Sequence, residues 1–325
     1  MKTYLGVDVG SVTTKFALLD ETNNLLAALY LRTQGKPVTM VQEGLREIRR
    51  HLPQGATICG VGTTGSARYL AGVVLGADVV KNEITSHAVA ALHFHPEVQT
   101  VIEIGGQDSK LIIIRDGVVT DFAMNTVCAA GTGSFLDHQA LRLGIKVEDF
   151  GSLALKSHNS VRIAGRCTVF AESDMIHKQQ VGHSTEDILY GLCQALVRNY
   201  LNNVGMGKEI LPPVVFQGGV AFNQAIVRAF QENLKTEVRV PPHHEVMGAI
   251  GAALLVREEV EETEAATRFK GFEVGHTSYR TSSFECKACP NLCEIAQLSI
   301  NGTALARWGG RCDLWERTGA GEPKA

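Results

Sequence analysis

The sequence has no apolar run as long as a membrane helix and no stretch dominated by basic residues. Crossing a bilayer takes about 20 consecutive apolar residues, so a membrane-spanning protein is not expected. The 31 lysines and arginines are balanced by 34 acidic residues, for a net charge of -3, which argues against a nucleic-acid partner. Residues 1–8 have the pattern of a strand carrying charge, not that of a signal peptide. We therefore predict a cytoplasmic protein.

The composition is that of an ordinary globular protein, since 45% of the 325 residues are hydrophobic and 20% are charged. This length allows two domains. Eight cysteines are present, and in a reducing compartment cysteines are more often metal ligands, redox groups or core residues than disulfides. Cys59, on a predicted strand, and Cys193, in a predicted apolar helix, are expected in the core.

A unit of strand, turn and strand occurs twice. In the first copy, Lys2–Val9 is an apolar strand, Gly10–Lys15 is a turn rich in small and hydroxyl residues, and Phe16–Leu19 is a second strand. In the second copy, the acid, glycine and lysine of residues 103–110 align with those of residues 8–15. This duplication predicts two lobes whose turns face one cleft.

Both turns have the composition of phosphate-binding loops. Glycine and hydroxyl residues let backbone N–H groups approach phosphate closely, and the neighbouring acids are suited to a hydrated Mg²⁺ ion. A third segment, residues 214–223, has the pattern of a strand followed by Gly218-Gly219 and a helix.

A rival interpretation is an NAD-binding dehydrogenase. Residues 60–65 match the dinucleotide fingerprint, a predicted helix follows at Ser66–Leu75, and Glu83 has about the spacing of a ribose-binding acid. However, the motif does not open the fold, and it leaves the duplicated turns unexplained. Glu83 is alternatively a water-orienting base or a helix-start residue. The histidines at 93, 95, 243 and 244 lack helical ligand spacing and are interpreted as solvated loop residues.

Two cysteines lie at or just ahead of predicted helix N-termini: Cys128, in residues 125–140, and Cys167, in residues 165–180. A helix N-terminus carries partial positive charge and N–H donors that favour thiolate over thiol. The pair suggests a thiolate-ligated metal or redox site. The alternative is two ordinary buried, inert cysteines.

The end of the chain differs in composition. An acidic run, Glu258–Glu264, is interpreted as a linker. After it come Cys286, Cys289 and Cys293 with C-x2-C-x3-C spacing, and then Cys312. Four cysteines so closely placed indicate a metal site, and both zinc and an iron–sulfur cluster fit the spacing.

The two turns and the Gly-Gly segment resemble the phosphate and adenosine loops of the actin, Hsp70 and sugar-kinase superfamily. This resemblance implies an α/β, two-lobed ATPase over residues 1–272. Residues 273–325 are then a small cysteine-rich extension. A small-molecule kinase on this scaffold, with structural cysteines, and a non-catalytic ATP-dependent sensor remain alternatives.

Two motifs surround the two cysteines, N-T-V-C-A-A-G-T-G at Cys128 and G-R-C-T-V-F-A-E-S-D-M at Cys167. Together with the three loops, these motifs make the chain similar to one family. It resembles the activators of 2-hydroxyacyl-CoA dehydratases, the ATPase subunits of benzoyl-CoA reductase and the reductase of double-cubane cluster proteins. The resemblance covers about residues 1–260. It implies a homodimer that uses ATP to pass single electrons to an iron–sulfur acceptor protein, with ferredoxin or flavodoxin as donor. The extension departs from the simple activators.

The resemblance also implies roles for individual residues. Cys128 and Cys167 of both subunits would bind one bridging 4Fe-4S cluster. The expected catalytic acids are Asp8, Asp108 and Glu83, of which Asp108 or Glu83 orients the attacking water. Phosphates and Mg²⁺ would be held by Asp8, Gly10, Ser11, Thr13, Lys15, Gly105, Gly106, Gln107, Asp108 and Lys110, and adenosine by Gly218, Gly219 and Asn223.

Overall fold

The computed structural model describes residues 1–125, 128–159, 161–164, 167–312 and 314–315. The chain divides into two units, Ile84–Met247 forming the second, and the first containing Met1–Glu83 and the described residues from Gly248 onward. Within the described residues, no helix is both long and apolar enough to cross a bilayer.

The elements of the first half of the chain are β1 (Lys2–Val9), β2 (Thr13–Asp20), β3 (Leu25–Arg32), α1 (Pro37–Arg50), β4 (Thr57–Thr64), α2 (Arg68–Leu75), β5 (Val79–Val80), α3 (Glu83–Phe94), β6 (Thr100–Ile104), β7 (Ser109–Arg115), β8 (Val118–Asn125), α4 (Gly133–Leu143) and α5 (Val147–Ala154). Those that follow are α6 (Thr168–Gln180), α7 (Thr185–Asn203), β9 (Val214–Gln217), α8 (Gln224–Leu234), β10 (Val238–Arg239), α9 (Met247–Thr263), β11 (Arg280–Glu285), β12 (Glu294–Ile300) and β13 (Thr303–Trp308).

Each unit has a five-stranded sheet with the same strand arrangement. The first runs β3-β2-β1-β4-β5 and the second runs β8-β7-β6-β9-β10. In both sheets, the first three strands in the chain pair with one another in antiparallel fashion. Two later strands then extend the sheet on the other side of the first strand, and both are parallel to it. The predicted internal duplication is therefore confirmed at the level of whole units.

Each sheet carries helices packed by apolar faces. On α1, Val41, Leu45 and Ile48 are buried at helical spacing and pack against the first sheet. In the second unit, α7 is buried along most of its length and packs beside α5, α6 and α8. Cys193 of α7 is fully buried, as expected, and burial raises the pKa of its thiol.

The fingerprint-like glycines have a packing role. A methyl group at Gly62 would lie 2.1 Å from the carbonyl oxygen of Ala252. A methyl group at Gly6, on the neighbouring strand, would lie 1.8 Å from the carbonyl oxygen of Ala249. These glycines allow α9 to pack directly on the backbone of β1 and β4. The glycine spacing that suggested a dinucleotide site is thus explained by close contact between helix and sheet.

The interpretation of Glu258–Glu264 as a linker is wrong, because α9 continues to Thr263. Glutamate is a good helix former, and Arg257 pairs with Glu261 at 2.9 Å one turn later. The following segment runs along α2, where Asp78 accepts hydrogen bonds from the Thr267 hydroxyl and the Arg268 amide. Strands β11, β12 and β13 form a third sheet. The boundary at residue 272 stays a prediction.

Candidate functional site

The first hairpin loop joins β1 to β2. Asp8 and Lys15 are register partners at the end of this hairpin, and the Lys15 ammonium donates to the Asp8 carboxylate at 2.9 Å. Only 5% of the Asp8 side chain is exposed. The Gly10 amide donates to the Thr13 carbonyl at 2.9 Å, which closes the turn and leaves Ser11 exposed.

The second hairpin loop repeats this geometry between β6 and β7. Glu103 and Lys110 are register partners, and the Gly105 amide donates to the Asp108 carbonyl at 3.0 Å. Lys110 donates to both Glu103 and Asp108 at 3.0 Å. Burial alone would lower the pKa of Lys110, but the two carboxylates outweigh it and raise that pKa. The lysine therefore stays charged, and Gln107 is exposed at the loop tip.

Both turns are shorter than predicted. Thr13 and Lys15 already belong to β2, and Lys110 belongs to β7. Threonine favours strands, and β2 is a central strand that also pairs with β3 through Thr13 and Arg32. The lysines are consequently fixed by a sheet and not by a flexible turn.

An ion pair between Arg68 and Glu83, both partly buried, lies beside the first loop. Gly65 follows β4 with φ +93, and a methyl group there would lie 2.6 Å from the Asp8 carboxylate. Arg68 donates to the Gly65 carbonyl at 3.1 Å and to Glu83 at 3.3 Å. Glu83 begins α3, which agrees with its predicted role as a helix-start residue, and its role as a water-orienting base stays a prediction. Sequence reasoning missed Arg68, which no motif marks.

The Gly-Gly segment lies at the end of β9, beside the second hairpin loop. Gly218 has φ +94, and a methyl group there would lie 2.4 Å from the Ile104 carbonyl oxygen. The Gly218 amide donates to the His244 carbonyl at 2.8 Å. Asn223 caps α8 by accepting from the Ala225 and Ile226 amides.

His244 is not the solvated loop residue that the sequence suggested. Its Nδ1 lies 3.1 Å from the Gly218 carbonyl oxygen, and its ring lies 4.4 Å from that of Phe222. Phe222 is 61% exposed. A flat apolar surface therefore lies directly beside Gly218-Gly219. Phe222 precedes α8 and His244 follows it, so no local sequence pattern predicts their contact.

Cys128 is held by a side-chain clamp. The Asn125 side chain accepts from the Cys128 amide at 2.9 Å and donates to the Cys128 carbonyl at 2.8 Å. Cys128 is half-buried and precedes a 3₁₀ turn, Ala129–Gly131, which leads into α4. Its position just ahead of a helix is confirmed. The motif residues Thr126 and Val127 lie outside the described part of the chain.

The start of α4 is hydrogen-bonded to the second hairpin loop. The Gly133 amide donates to the Gly105 carbonyl at 2.9 Å, and the Ser134 amide donates to the Gly106 carbonyl at 2.8 Å. The Ser134 hydroxyl also donates to Gly106, at 2.5 Å. The first N–H groups of a helix have no partner within it, and here the loop satisfies two of them. One short segment, Cys128 to Ser134, therefore carries the cysteine at one end and the hydrogen bonds to the loop at the other.

Cys167 is the residue immediately before α6, as predicted. The segment leading to it is anchored at Asp187, which accepts from the amides of His158 and Asn159 and from the Ser157 hydroxyl. The hydrogen bond from the Asn159 backbone amide lowers the pKa of Asp187 most, and the hydrogen bond from the Asn159 side chain lowers it further. The motif residues Gly165 and Arg166 are outside the described residues.

The tail cysteines differ in exposure: Cys286 is buried, Cys293 is half-buried, and Cys289 and Cys312 are exposed. Among the side chains that the structure describes, no three of histidine, cysteine, aspartate or glutamate are gathered closely enough to hold a metal ion. The ligand sets assigned to the six metal-binding cysteines stay predictions.

Comparison with known proteins identifies the family. Residues 5–256 match the model of the BadF/BadG/BcrA/BcrD ATPase family. The chain belongs to this ATPase family. It is 37% identical over 257 residues to the (R)-2-hydroxyglutaryl-CoA dehydratase activating ATPase of Acidaminococcus fermentans, a match covering 77% of this chain and 95% of that protein.

Two solved structures of activators are similar. The crystal structure of (R)-2-hydroxyglutaryl-CoA dehydratase component A from Acidaminococcus fermentans has a TM-score of 0.73 at 34% identity, covering 80% of this chain and 100% of that one. The ADPNP-bound activator of 2-hydroxyisocaproyl-CoA dehydratase from Clostridium difficile has a TM-score of 0.72 at 33% identity, covering 81% and 97%. The predicted family and the actin-like, two-lobed ATPase fold are confirmed. Residues 257–325 lie outside the family match.

Proposed function

We propose that this family ATPase couples hydrolysis of Mg-ATP to one-electron transfer from an iron–sulfur cluster, shared by two copies of the chain, to a partner protein. The observation that carries the proposal is the hydrogen bonding of the second hairpin loop to α4, whose N-terminal segment begins at Cys128. The second hairpin loop, a proposed nucleotide loop, is thereby hydrogen-bonded to the same chain segment that carries Cys128, the candidate cluster ligand.

Nucleotide binding is assigned to the three loops. Phosphates and Mg²⁺ would contact Asp8, Ser11 and Thr13 of the first loop and Gln107 and Asp108 of the second, with Lys15 and Lys110 supplying positive charge, and the backbone of Gly10, Gly105 and Gly106 allowing close approach. Adenosine would lie at Gly218, Gly219 and Asn223, against Phe222. Support comes from the matching geometry of the two hairpins and from the ADPNP carried by the Clostridium difficile relative.

Three acids are candidates for the hydrolytic step. Asp8, Asp108 and Glu83 are each paired with a cation, at 2.9, 3.0 and 3.3 Å respectively. The Asp108 side chain is 36% exposed and the most accessible of the three. We therefore favour Asp108 for orienting water and Asp8 for holding hydrated Mg²⁺.

The cysteine chemistry fits a shared cluster. Cys128 and Cys167 are half-buried thiols placed ahead of helical segments. A 4Fe-4S cluster generally takes four cysteine ligands, and this pair in two subunits supplies four. When bound, the cluster supplies a site that accepts and releases one electron at low potential.

Exposed apolar residues support the homodimer. Val169 and Phe170 follow Cys167 directly and are 67% and 64% exposed. Leu141, on α4, is 79% exposed. Large apolar side chains at a surface often mark an interface, and burial of these residues would bring together the helices that follow the two cysteines in each subunit.

The partner would be an iron–sulfur acceptor protein of the dehydratase or double-cubane type, with ferredoxin or flavodoxin as electron donor. Relatives named as activators of 2-hydroxyacyl-CoA dehydratases support the first type. Residues 273–325 would form an extension with a second metal site, zinc or iron–sulfur, at Cys286, Cys289, Cys293 and Cys312.

Anaerobic purification tests the proposal. The protein is expected to contain iron and sulfide in equal amounts, to hydrolyse Mg-ATP slowly, and to reduce a low-potential acceptor dye only while ATP is hydrolysed. The measurements are iron and sulfide analysis and ATP-dependent dye reduction with the chemically reduced protein. Phosphorylation of a small molecule by protein lacking iron would instead establish the kinase alternative.

Ser134→Ala tests the coupling. Loss of the hydroxyl bond to Gly106 removes one hydrogen bond, of about 0.5–1.5 kcal/mol, while the Ser134 amide bond remains. Electrons transferred per ATP hydrolysed should therefore fall about two- to tenfold, with iron content unchanged. Ser152→Ala is the matched control, because Ser152 makes a similar bond within α5, to Asp149. An equal number of electrons transferred per ATP in the two variants would contradict coupling through the contact between Ser134 and Gly106.

A further inference from the structure

We propose that the first unit contains a small-molecule site between α2 and β13, which binds an organic anion that carries a flat aromatic ring. The site goes beyond the function proposed above and does not depend on it. Helix α2 lies within the family match, whereas β13 lies in the segment that follows this match. Both parts of the chain are therefore needed to form the site.

A cavity of about 510 Å³ lies between these two elements. Small-molecule sites typically have volumes of about 300–1,000 Å³, so the cavity has room for two fused rings and a charged group. Residues from 69 to 77, on α2 and just after it, form one wall, and Arg268, Lys270 and residues 305–308 form the other. Because Tyr69 is 54% exposed, a ligand can reach the cavity from solvent.

The segment that carries Lys270 is fixed against the end of α2. Gly76 caps this helix with φ +72, and a methyl group there would lie 2.2 Å from the Arg268 carbonyl oxygen. The Lys270 amide donates to the Leu75 carbonyl at 3.0 Å, and the Lys270 ammonium donates to the Val73 carbonyl at 2.5 Å. The position of this charge is therefore set by the protein before any ligand binds.

The described residues that line the cavity include three cations, Arg268, Lys270 and Arg307, and no acid. Arg268 lies 3.7 Å from the carboxylate of Asp78. Lys270 and Arg307 form no ion pair with any residue that the structure describes. Burial lowers the pKa of Lys270, and no carboxylate counters this effect. An anion is therefore the ligand that would complete this wall.

The two unpaired cations also have hydrogen-bond donors to spare. Lys270 uses one donor for Val73, and Arg307 uses its Nε for the Gln297 side chain at 2.7 Å. The terminal nitrogens of Arg307 donate to no residue in the described part of the chain. A lysine at the last turn of a helix is common, so Lys270 alone would not indicate a ligand. Arg307 has no such role, and arginine binds carboxylate or phosphate through two parallel hydrogen bonds.

The rest of the lining is apolar and suits a flat ring. Tyr69 and Trp308 contribute aromatic rings, and Val73, Val80 and Leu305 contribute aliphatic side chains. Aromatic rings stack on one another or meet edge to face, which adds to the free energy gained from burying their area. A ring attached to the anion would cover this surface, and an anion without a ring would leave it in contact with water.

Calorimetric titration of the full-length protein tests the site, with Mg-ADP at saturation so that the nucleotide loops are occupied. Naphthoate and naphthyl phosphate are the probes, and comparing them distinguishes a carboxylate ligand from a phosphate ligand. Naphthalenemethanol supplies the ring without the charge, and inorganic phosphate supplies the charge without the ring. At least one probe should bind about tenfold more tightly than either control compound, since charge-assisted hydrogen bonds are about twice as strong as neutral ones.

Variants of the two unpaired cations locate the bound probe. Lys270→Met and Arg307→Gln should each weaken its binding by about tenfold, whereas Arg307→Lys should restore part of the affinity. Lys287→Met is the matched control, because Lys287 is an exposed lysine outside the cavity lining. Val73→Phe keeps both cations but occupies the cavity, so it should abolish binding. Circular dichroism establishes that each variant is folded.

Each outcome supports or overturns a stated part of the proposal. Equal affinity for naphthalenemethanol would overturn the anion, and equal affinity for inorganic phosphate would overturn the ring. The site itself is overturned if wild type binds neither probe, or if folded Lys270→Met and Arg307→Gln bind as tightly as wild type. Mg-ATP hydrolysis by the wild-type protein is measured separately, so a failure of this site is distinguishable from a failure of the proposed function.

Discussion

Cys128→Ser is expected to remove the proposed shared cluster and to abolish ATP-driven electron transfer. Serine keeps the shape of the residue, and the Asn125 clamp binds only the backbone of residue 128, so the local fold should persist. Each chain loses one of its two cluster thiolates, and in the dimer two of four ligands disappear. Iron should fall by about two atoms per chain, half of a four-iron cluster.

The dimer should weaken in the same variant. A ligand bound by both subunits stabilises their association, so its loss should raise the dimer dissociation constant by about tenfold or more. Nucleotide affinity should survive, because no hydrogen bond described for the nucleotide loops involves the Cys128 side chain. The measurements are iron and sulfide content, sedimentation at several concentrations, and ATP-analogue binding, with Cys59→Ser as control. Full reductase activity in Cys128→Ser, or about four irons per chain in a protein lacking residues 273–325, would defeat the shared-cluster model.

Much of the candidate nucleotide site was predictable because it is local in sequence. Hairpin partners are separated by only a few residues, so the alignment of Asp8 and Lys15 with Glu103 and Lys110 already contains the register that the sheets adopt. The same holds for Cys167, which lies directly ahead of α6. Local patterns specify such features because a short turn leaves few alternative pairings.

Features that depend on long-range contacts were not predictable. The glycines of residues 60–65 matched a cofactor motif, whereas Gly62 is required by contact with α9, about 190 residues later. His244 interacts with the Gly218 carbonyl, and Arg68 with the Glu83 carboxylate, and no local pattern connects the members of either pair. The bonds from α4 to the second loop also join separate parts of the chain. A periodicity or motif shows which residue types are present in a segment. It does not show which distant part of the backbone those residues contact.

Asp8→Ala is expected to suppress ATP hydrolysis by about 10²–10³-fold, the usual effect of removing one preorganised electrostatic group from a reacting site. Asp8 is the penultimate residue of β1, its side chain is 5% exposed, and its carboxylate pairs with Lys15 at 2.9 Å. Its loss removes the proposed acid for hydrated Mg²⁺ and leaves the lysine charge without that partner. Iron content and dimerisation should be unchanged, since Asp8 belongs to the first unit and both cluster cysteines to the second.

Two variants make this result specific. Asp8→Asn keeps the shape of the side chain but not its charge, so it should be as inactive as Asp8→Ala if the carboxylate acts through Mg²⁺. Asp121→Ala is the matched control, because Asp121 forms an acid–lysine pair with Lys208 at 2.7 Å on the exposed side of β8. Steady-state hydrolysis over a range of Mg²⁺ concentrations distinguishes the cases: weak activity partly restored by excess Mg²⁺ places Asp8 at the metal. Normal turnover in Asp8→Ala would mean that the Mg²⁺ site lies elsewhere, and Asp108 would then be the next carboxylate to test.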